Sequence, residues 1–296
     1  MEKKKIHTMM AASLLLAVAA LTSCVKDELH DTPHPGHGKV SVTADWTQRG
    51  EGVDIPASWN IALGDYTGNE TGATHAPEQL FEPGSYTLVA HSPAEGITVN
   101  GTTATAAAAS GNREGVGGFI TNAPGWLFTH VQEVAIEADT DHEFTVAMHQ
   151  QVRELTLVIE PKGDAAGRIE AIEGYLSGAA GTLDFATDTH GTPSNVELRF
   201  TKITSGDDAG KWTATVRLLG IAGDTQRLTA TLTYTDGNPR PTHLESDLTE
   251  ALAGFNGGKT QPLVLGGTTT DTPAEADVTA TIDNWNTITG DPVEAM

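Results

Sequence analysis

The chain has 296 residues, with 17 Lys+Arg against 39 Asp+Glu and a formal net charge of −22. A field of that sign repels phosphates and anionic headgroups, so nucleic acid is excluded as a partner and so is a membrane bound through surface charge. With 38% hydrophobic residues the chain can bury real cores, its length suits two domains, and its single cysteine leaves stability to packing instead of disulfides.

Lys3, Lys4 and Lys5 precede an apolar run from Met9 to Leu21, followed by the small residues Thr22 and Ser23. A basic head, a short apolar run and a small-residue cut site describe a secretory signal peptide over residues 1–23, and the run is too short to span a bilayer. The tetrapeptide Leu21-Thr22-Ser23-Cys24 resembles a bacterial lipobox, in which the leader is cut off before the cysteine and the thiol carries a diacylglycerol. The bland reading is an ordinary leader with an incidental thiol. Each acyl CH₂ contributes about 0.8 kcal/mol of membrane affinity, so several chains of palmitate type on Cys24 anchor a protein durably. Cleavage removes Glu2 and the three lysines, so Lys+Arg falls from 17 to 14, Asp+Glu from 39 to 38, and the mature charge becomes −24. Val25-Lys26-Asp27-Glu28 resembles a signal that sends bacterial lipoproteins to the outer face of the outer membrane; read without that likeness, it is a charged linker.

Residues 24–38 read as a flexible tether, since LHDTPHPGHG (29–38) is rich in Pro and Gly and lacks apolar periodicity. It holds the one metal candidate, His30, His34 and His37. Pro33 and Pro35 forbid a helix that would align the three imidazoles, so a His-rich tether is the favoured reading and no metal or other cofactor is expected. From Lys39 on, alternating segments recur: KVSVTADW (39–46), WNIALGDY (59–66), SYTLVAHS (85–92), GITVNGT (96–102) and WLFTHVQEVAIEA (126–138) read as strands. HEFTVAMHQQVRELTLVIEP (142–161) is too long for one strand and is split at Gln150-Gln151, which is also placed as the boundary between domains 39–150 and 151–296.

The second half continues with RIEAIEGYLSG (168–178), NVELRFTKI (195–203), KWTATVRLLG (211–220), QRLTATLTYT (226–235), PLVLGG (262–267) and VTATIDNW (278–285). TSGDDAG between the second and third of these predicts a hairpin. In SDLTEALAGFNGG (246–258), Leu248, Ala251, Leu252 and Phe255 fall at i, i+3, i+4 and i+7, which predicts one short helix capped by Ser246 or Asp247 and stopped by Gly257-Gly258. Many short strands with one helix predict an all-β protein of two Greek-key β-sandwiches in series.

No serine-nucleophile, zinc-protease or phosphate-loop signature occurs, NREGVGGF (112–119) reads as a loop, and Asp207-Asp208 sits in the predicted hairpin turn, so the chain is not read as an enzyme. Trp46, Trp59, Trp126, Trp212 and Trp285 could form a glycan platform, but four of them begin or end strands, where large rings close cores.

FTVAMHQQVRELTLVIEP (144–161), IEAIEGYLSGAAGTLDF (169–185), and DLTEALAGFN with LVLGG and VTATIDNW (247–285) resemble the FimB-like anchor lipoproteins of fimbrillin-type (type V) pili. The resemblance implies two transthyretin-like β-sandwiches behind a lipidated cysteine, here Cys24, in a protein that tethers a pilus to the outer membrane, exposed at the cell surface. It implies a fimbrial stalk subunit as protein partner, met through β-strand contacts. Subunits of such pili lose a first strand to an arginine-specific protease, which makes Arg49, just after the first predicted strand, a possible protease-sensitive site. An anchored subunit should keep that strand and use another edge, near Val278–Trp285. The alternative function is a surface glycan-binding or nutrient-capture lipoprotein, which requires an exposed row of aromatics.

Overall fold

The computed structural model describes residues 34, 36–109, 116–269 and 279–288, whose regular structure is β-strand apart from short 3-10 helices of three residues each. The chain enters at β1 (Gly38–Asp45). Its alternation places Val40, Val42 and Ala44 inward and leaves Lys39 and Thr43 exposed. Next come β2 (Trp59–Leu63) and β3 (Tyr66–Glu70), a hairpin turned at Gly64, whose φ of 60° suits a residue without Cβ. They are followed by β4 (Thr74–His75) and β5 (Gly84–His91). The chain then makes β6 (Ile97–Asn100), β7 (Thr103–Ala106) and β8 (Phe119–Ile120) before returning as β9 (Phe128–Ile136), β10 (Thr140–Ala147) and β11 (His149–Gln150).

Apart from β6, β7 and β8, these strands make two sheets, ordered β10-β1-β4 and β11-β9-β5-β2-β3. Val40, Val42 and Val146 of the first share a core with Ile61, Leu88 and Phe128 of the second, together with Trp59 and Phe81. β1 runs parallel to β10 in an unbroken register from Gly38↔Thr140 to Asp45↔Ala147, while β4 touches its other side at Val42 and Thr43 alone.

The second half contributes β12 (Arg153–Glu160), β13 (Ile169–Asp184), β14 (Thr189–Lys202), β15 (Trp212–Leu218), β16 (Arg227–Tyr234), β17 (Thr242–Asp247), β18 (Leu263–Thr269) and β19 (Ala280–Thr287). Their order is β13-β16-β17-β19-β18-β12-β15-β14, and β14 pairs back onto β13, so eight strands close on themselves. Closure leaves no edge within that ring. Its core includes Leu155, Leu157, Ile159, Ile172, Leu176, Leu198, Leu232 and Phe255, and also Ala104, Ala106, Ile120 and Leu127 from before residue 150. β7 pairs with the far end of β13 and with β6, and β8 runs parallel to β14, so β6, β7 and β8 belong to the second sheet system although they precede residue 150.

Two expectations change. The hairpin over TSGDDAG forms, with Gly210 N–H donating to Ile203 O, but its ladder holds only Thr201↔Thr213 and Lys202↔Trp212. Beyond that point β15 turns to β12 and β14 to β13, because closure demands that neighbouring strands diverge to different partners. The helix over 246–258 is also absent as such. Ser246 and Asp247 are ladder residues of β17, paired with Leu228 and Arg227, and the chain then runs through turns into a three-residue 3-10 helix, Phe255–Gly257. A single helical turn survives, with Leu252 N–H donating to Leu248 O and the Asp247 carboxylate accepting from Thr249 N–H. Leu248, Leu252 and Phe255 are still fully buried. The apolar spacing identified the buried face, while β17 pairing and the glycines at 254, 257 and 258 shortened the helix.

Candidate functional site

The residues with functional promise gather where the chain enters β1 and where it leaves. Cys24 and His30 lie outside the described residues. His34 is 4% exposed; its Nδ1–H donates to His37 O at 3.0 Å, and its Nε2 lies 2.7 Å from Asp141 Oδ1 on β10. His37 Nε2 lies 3.0 Å from Glu82 Oε1 in the loop before β5. Each imidazole faces a different carboxylate beside β1, so the two rings clamp the entry strand. Gly36 N–H donates to Asp139 Oδ1 and Asp139 N–H to His37 O, while Gly38 and Phe81 exchange both backbone bonds.

The hydrogen bond to Asp141 raises the His34 pKa above its ordinary 6.5, against an opposing effect of burial. A raised folded-state pKa means stability that is complete below about pH 6.5 and is lost as pH rises through the folded value. The melting-temperature gap between the natural chain and His34→Gln is therefore expected to be wide at pH 5.5 and narrow at pH 8.5. A gap independent of pH would make the contact a neutral hydrogen bond.

At the other end of β1 the chain turns sharply. Thr47 N–H donates to Asp45 Oδ1, Trp46 meets Phe128 edge-on at 5.5 Å, and Arg49 Nη1–H donates to Trp46 O. Arg49 itself is exposed and Gly50 is buried. Gly50 N–H donates to Gln150 Oε1 at 2.8 Å, and a Cβ at Gly50 would meet Thr260 O at 2.7 Å. The side chain a protease would read is open to solvent, whereas the peptide after it is pinned in the seam between the two cores.

That seam is polar. Gln150 Nε2–H donates to Val152 O and Lys259 O, and Gln151 Nε2–H donates to Thr129 Oγ1. Lys259 Nζ donates to Gln151 Oε1 and Asp188 Oδ1, and Arg153, nearly buried, donates to the carbonyls of Phe255 and Gln261 with its guanidinium 5.0 Å from the Phe255 ring. Burial, aided by the charge of Lys259, holds the His149 and His190 imidazoles below their ordinary pKa. None of these joint residues was singled out by chemistry in the sequence; the doubled buried glutamine at 150–151 was the visible signal.

Open strand edges are found on the first two sheets. β10 is bordered by β1 on one side and ends its sheet on the other, and β3 ends the five-stranded sheet. The C-terminal edge expected near Val278–Trp285 is not an edge: β19 lies between β17 and β18, with Trp285 Nε1–H donating to Ser246 Oγ. The tryptophans serve cores: Trp59 and Trp212 are buried, and Trp126 packs on both cores under Arg217.

The model of the fimbrillin-A associated anchor proteins Mfa1 and Mfa2 matches residues 62–291. The chain belongs to that family of fimbrial anchor proteins. The match spans both sheet systems and agrees with the resemblance carried by residues 144–161, 169–185 and 247–285. No curated protein sequence matches the chain. Among solved structures, a candidate adhesin of Bacteroides ovatus superposes with a TM-score of 0.57 at 16% identity, over 87% of this chain and 96% of that one. The fimbrial anchor protein Mfa2 of Porphyromonas gingivalis superposes with 0.55 at 13% identity, over 85% and 97%. At such identities the superpositions speak for a shared fold. Family membership associates the chain with fimbriae and the cell envelope, among structural rather than catalytic proteins.

Proposed function

We propose that this member of the anchor family is a lipoprotein that holds a fimbria at the outer membrane, tethered through Cys24 and joined to a stalk subunit through a strand edge. It acts without catalysis, exposed on the cell surface, with the tether read over residues 24–38 meeting the fold where His34 and His37 dock beside β1, and with a two-sheet sandwich joined near Gln150 to the closed eight-strand ring. The observation that carries the reading is β1 itself. The strand nearest the anchor point buries Val40, Val42 and Ala44 and is paired with β10 along its whole length, so tension from the N-terminus loads every pair of that parallel ladder together. An anchoring subunit needs its own first strand to stay in place, and Arg49–Gly50 is held in a turn that resists cleavage. Among the described residues no helix is long and apolar enough to cross a membrane.

The partner strand belongs on the open side of β10, where Asp141, Glu143 and Thr145 point outward beside unpaired backbone. A photo-crosslinking residue at Glu143 is expected to capture a fimbrial subunit, whereas one at exposed His243 on β17, inside the closed ring, is not. Capture at 243 alone would overturn the placement. Replacing Cys24 with Ala is expected to leave a folded protein that moves from the detergent phase to the aqueous phase, with fimbriae shed alongside it. Retention in the membrane would remove lipidation from the reading.

A further inference from the structure

The free flank of β10 carries a different chemistry on each face. On the outer face the β1–β10 register sets Lys39 beside Asp141, Ser41 beside Glu143 and Thr43 beside Thr145. Asp141, 67% exposed, is met by the His34 imidazole at 2.7 Å. Glu143 is exposed, its neighbour on β1 is an uncharged serine, and among the described residues nothing hydrogen-bonds or ion-pairs with its carboxylate. On the inner face His142 and Phe144 stack at 5.8 Å with 8° between their planes. Both rings are half-buried, whereas Val146, two residues further on, is fully buried. The flank therefore presents an uncompensated carboxylate on one side and a partly uncovered pair of rings on the other.

A strand laid along β10 brings its side chains to within about 4.5–5.5 Å of those on the same face of β10. Its residues then alternate between the row of Asp141, Glu143 and Thr145 and the row of His142, Phe144 and Val146. Opposite charges in such cross-strand pairs stabilise, and like charges directly opposite destabilise. The outer row thus calls for a lysine or arginine opposite Glu143, and the inner row for apolar side chains that cover the two rings. A second copy of this chain meets the reverse condition. Two β10 strands paired antiparallel about His142 set Asp141 against Glu143, and paired about Glu143 they set that carboxylate against itself, in chains that each carry a net charge of −22. Building on the reading that β10 docks a partner strand, we infer that this edge selects an extended segment with a basic side chain opposite Glu143 and apolar side chains facing His142 and Phe144, and rejects another copy of this chain.

Fluorescence anisotropy on the folded full chain in detergent tests this with labelled peptides of 8 residues, the length of β10. One alternates lysine with valine, one threonine with valine and one glutamate with valine; a fourth keeps the lysines but has proline for every valine, which leaves no N–H for a ladder. The lysine–valine peptide is expected to bind about fivefold more tightly than the threonine–valine one, with the glutamate–valine peptide weakest. Salt at about 0.5 M is expected to shrink that advantage, because the pair is exposed. Glu143→Gln is expected to abolish the preference and Glu143→Lys to reverse it, each with the melting temperature of the natural chain, since the side chain is exposed. Equal binding of the lysine–proline peptide would show attraction to net charge alone. That result, a preference unchanged in Glu143→Gln, no binding by any peptide, or a dimer of the natural chain that the lysine–valine peptide dissociates would overturn the inference. Crosslinking from position 143 is read separately: capture of a fimbrial subunit without any preference among the peptides keeps β10 as the docking edge and removes its selectivity, whereas no capture removes the docking reading and the selectivity with it.

Discussion

A chain shortened to begin at Gly50 is expected to lose the fold of its first half while the closed ring of the second half keeps its own melting transition. Removing β1 uncovers the pocket that Val40 and Val42 fill, each worth about 1.5–3 kcal/mol of burial. It also strips β10 of its only full-length partner, at about 0.5–1.5 kcal/mol net for each hydrogen bond lost. Together these approach the roughly 5–15 kcal/mol that stabilises a typical domain. Hydrogen exchange should show residues 59–91 and 128–148 unprotected, and size-exclusion chromatography should show oligomers formed through the exposed groove and edge. A synthetic peptide of residues 38–46 added in trans is expected to restore protection. Equal melting temperatures and clean monomers for chains beginning at Lys39 and at Gly50 would mean that the first strand is dispensable, and the anchoring argument would lose its main support.

Gln150→Ala is the second large effect. The carboxamide, 4% exposed, accepts from Gly50 N–H and donates to Val152 O and Lys259 O, so its loss strands two buried backbone groups and one half-buried one. Each buried group left without a partner costs about 1–3 kcal/mol, reduced where water enters the seam. Because the turn at Arg49–Gly50 is released by the same change, an arginine-specific protease is expected to cut there faster. A local weakening of about 1.4–2.8 kcal/mol raises the open population, and with it the cleavage rate, about ten- to a hundredfold. Mass spectrometry of the first cleavage products gives the answer. An unchanged rate at Arg49 would show that the packing of Gly50 against Thr260 holds the turn without help from the glutamine.

Period-two alternation was enough to place Val40, Val42 and Ala44 inside, because a strand with one buried face leaves a local signature. The strand break within 142–161 was also readable, since β11 ends at Gln150 and β12 begins at Arg153. The spacing of Leu248, Leu252 and Phe255 correctly marked a buried face, yet it could not report that the preceding residues belong to a ladder. His34 and His37 were visible as a cluster, but their partners Asp141 and Glu82 are distant in sequence, so the clamp they form was not.

Local pattern and composition by themselves determined the all-β class and the inward face of the first strand, and the resemblance of the phrases at 144–161, 169–185 and 247–285 pointed to the anchor family. Pairing was decided only by the tertiary structure. A strand's own residues specify which face is apolar, not which neighbour satisfies its backbone, and any of several strands could do so with similar energy. Hence the parallel union of β1 with β10, the return of β14 to β13 that closes the ring, and the crossing of β7 into the second sheet system arise only when all the ladders are satisfied together.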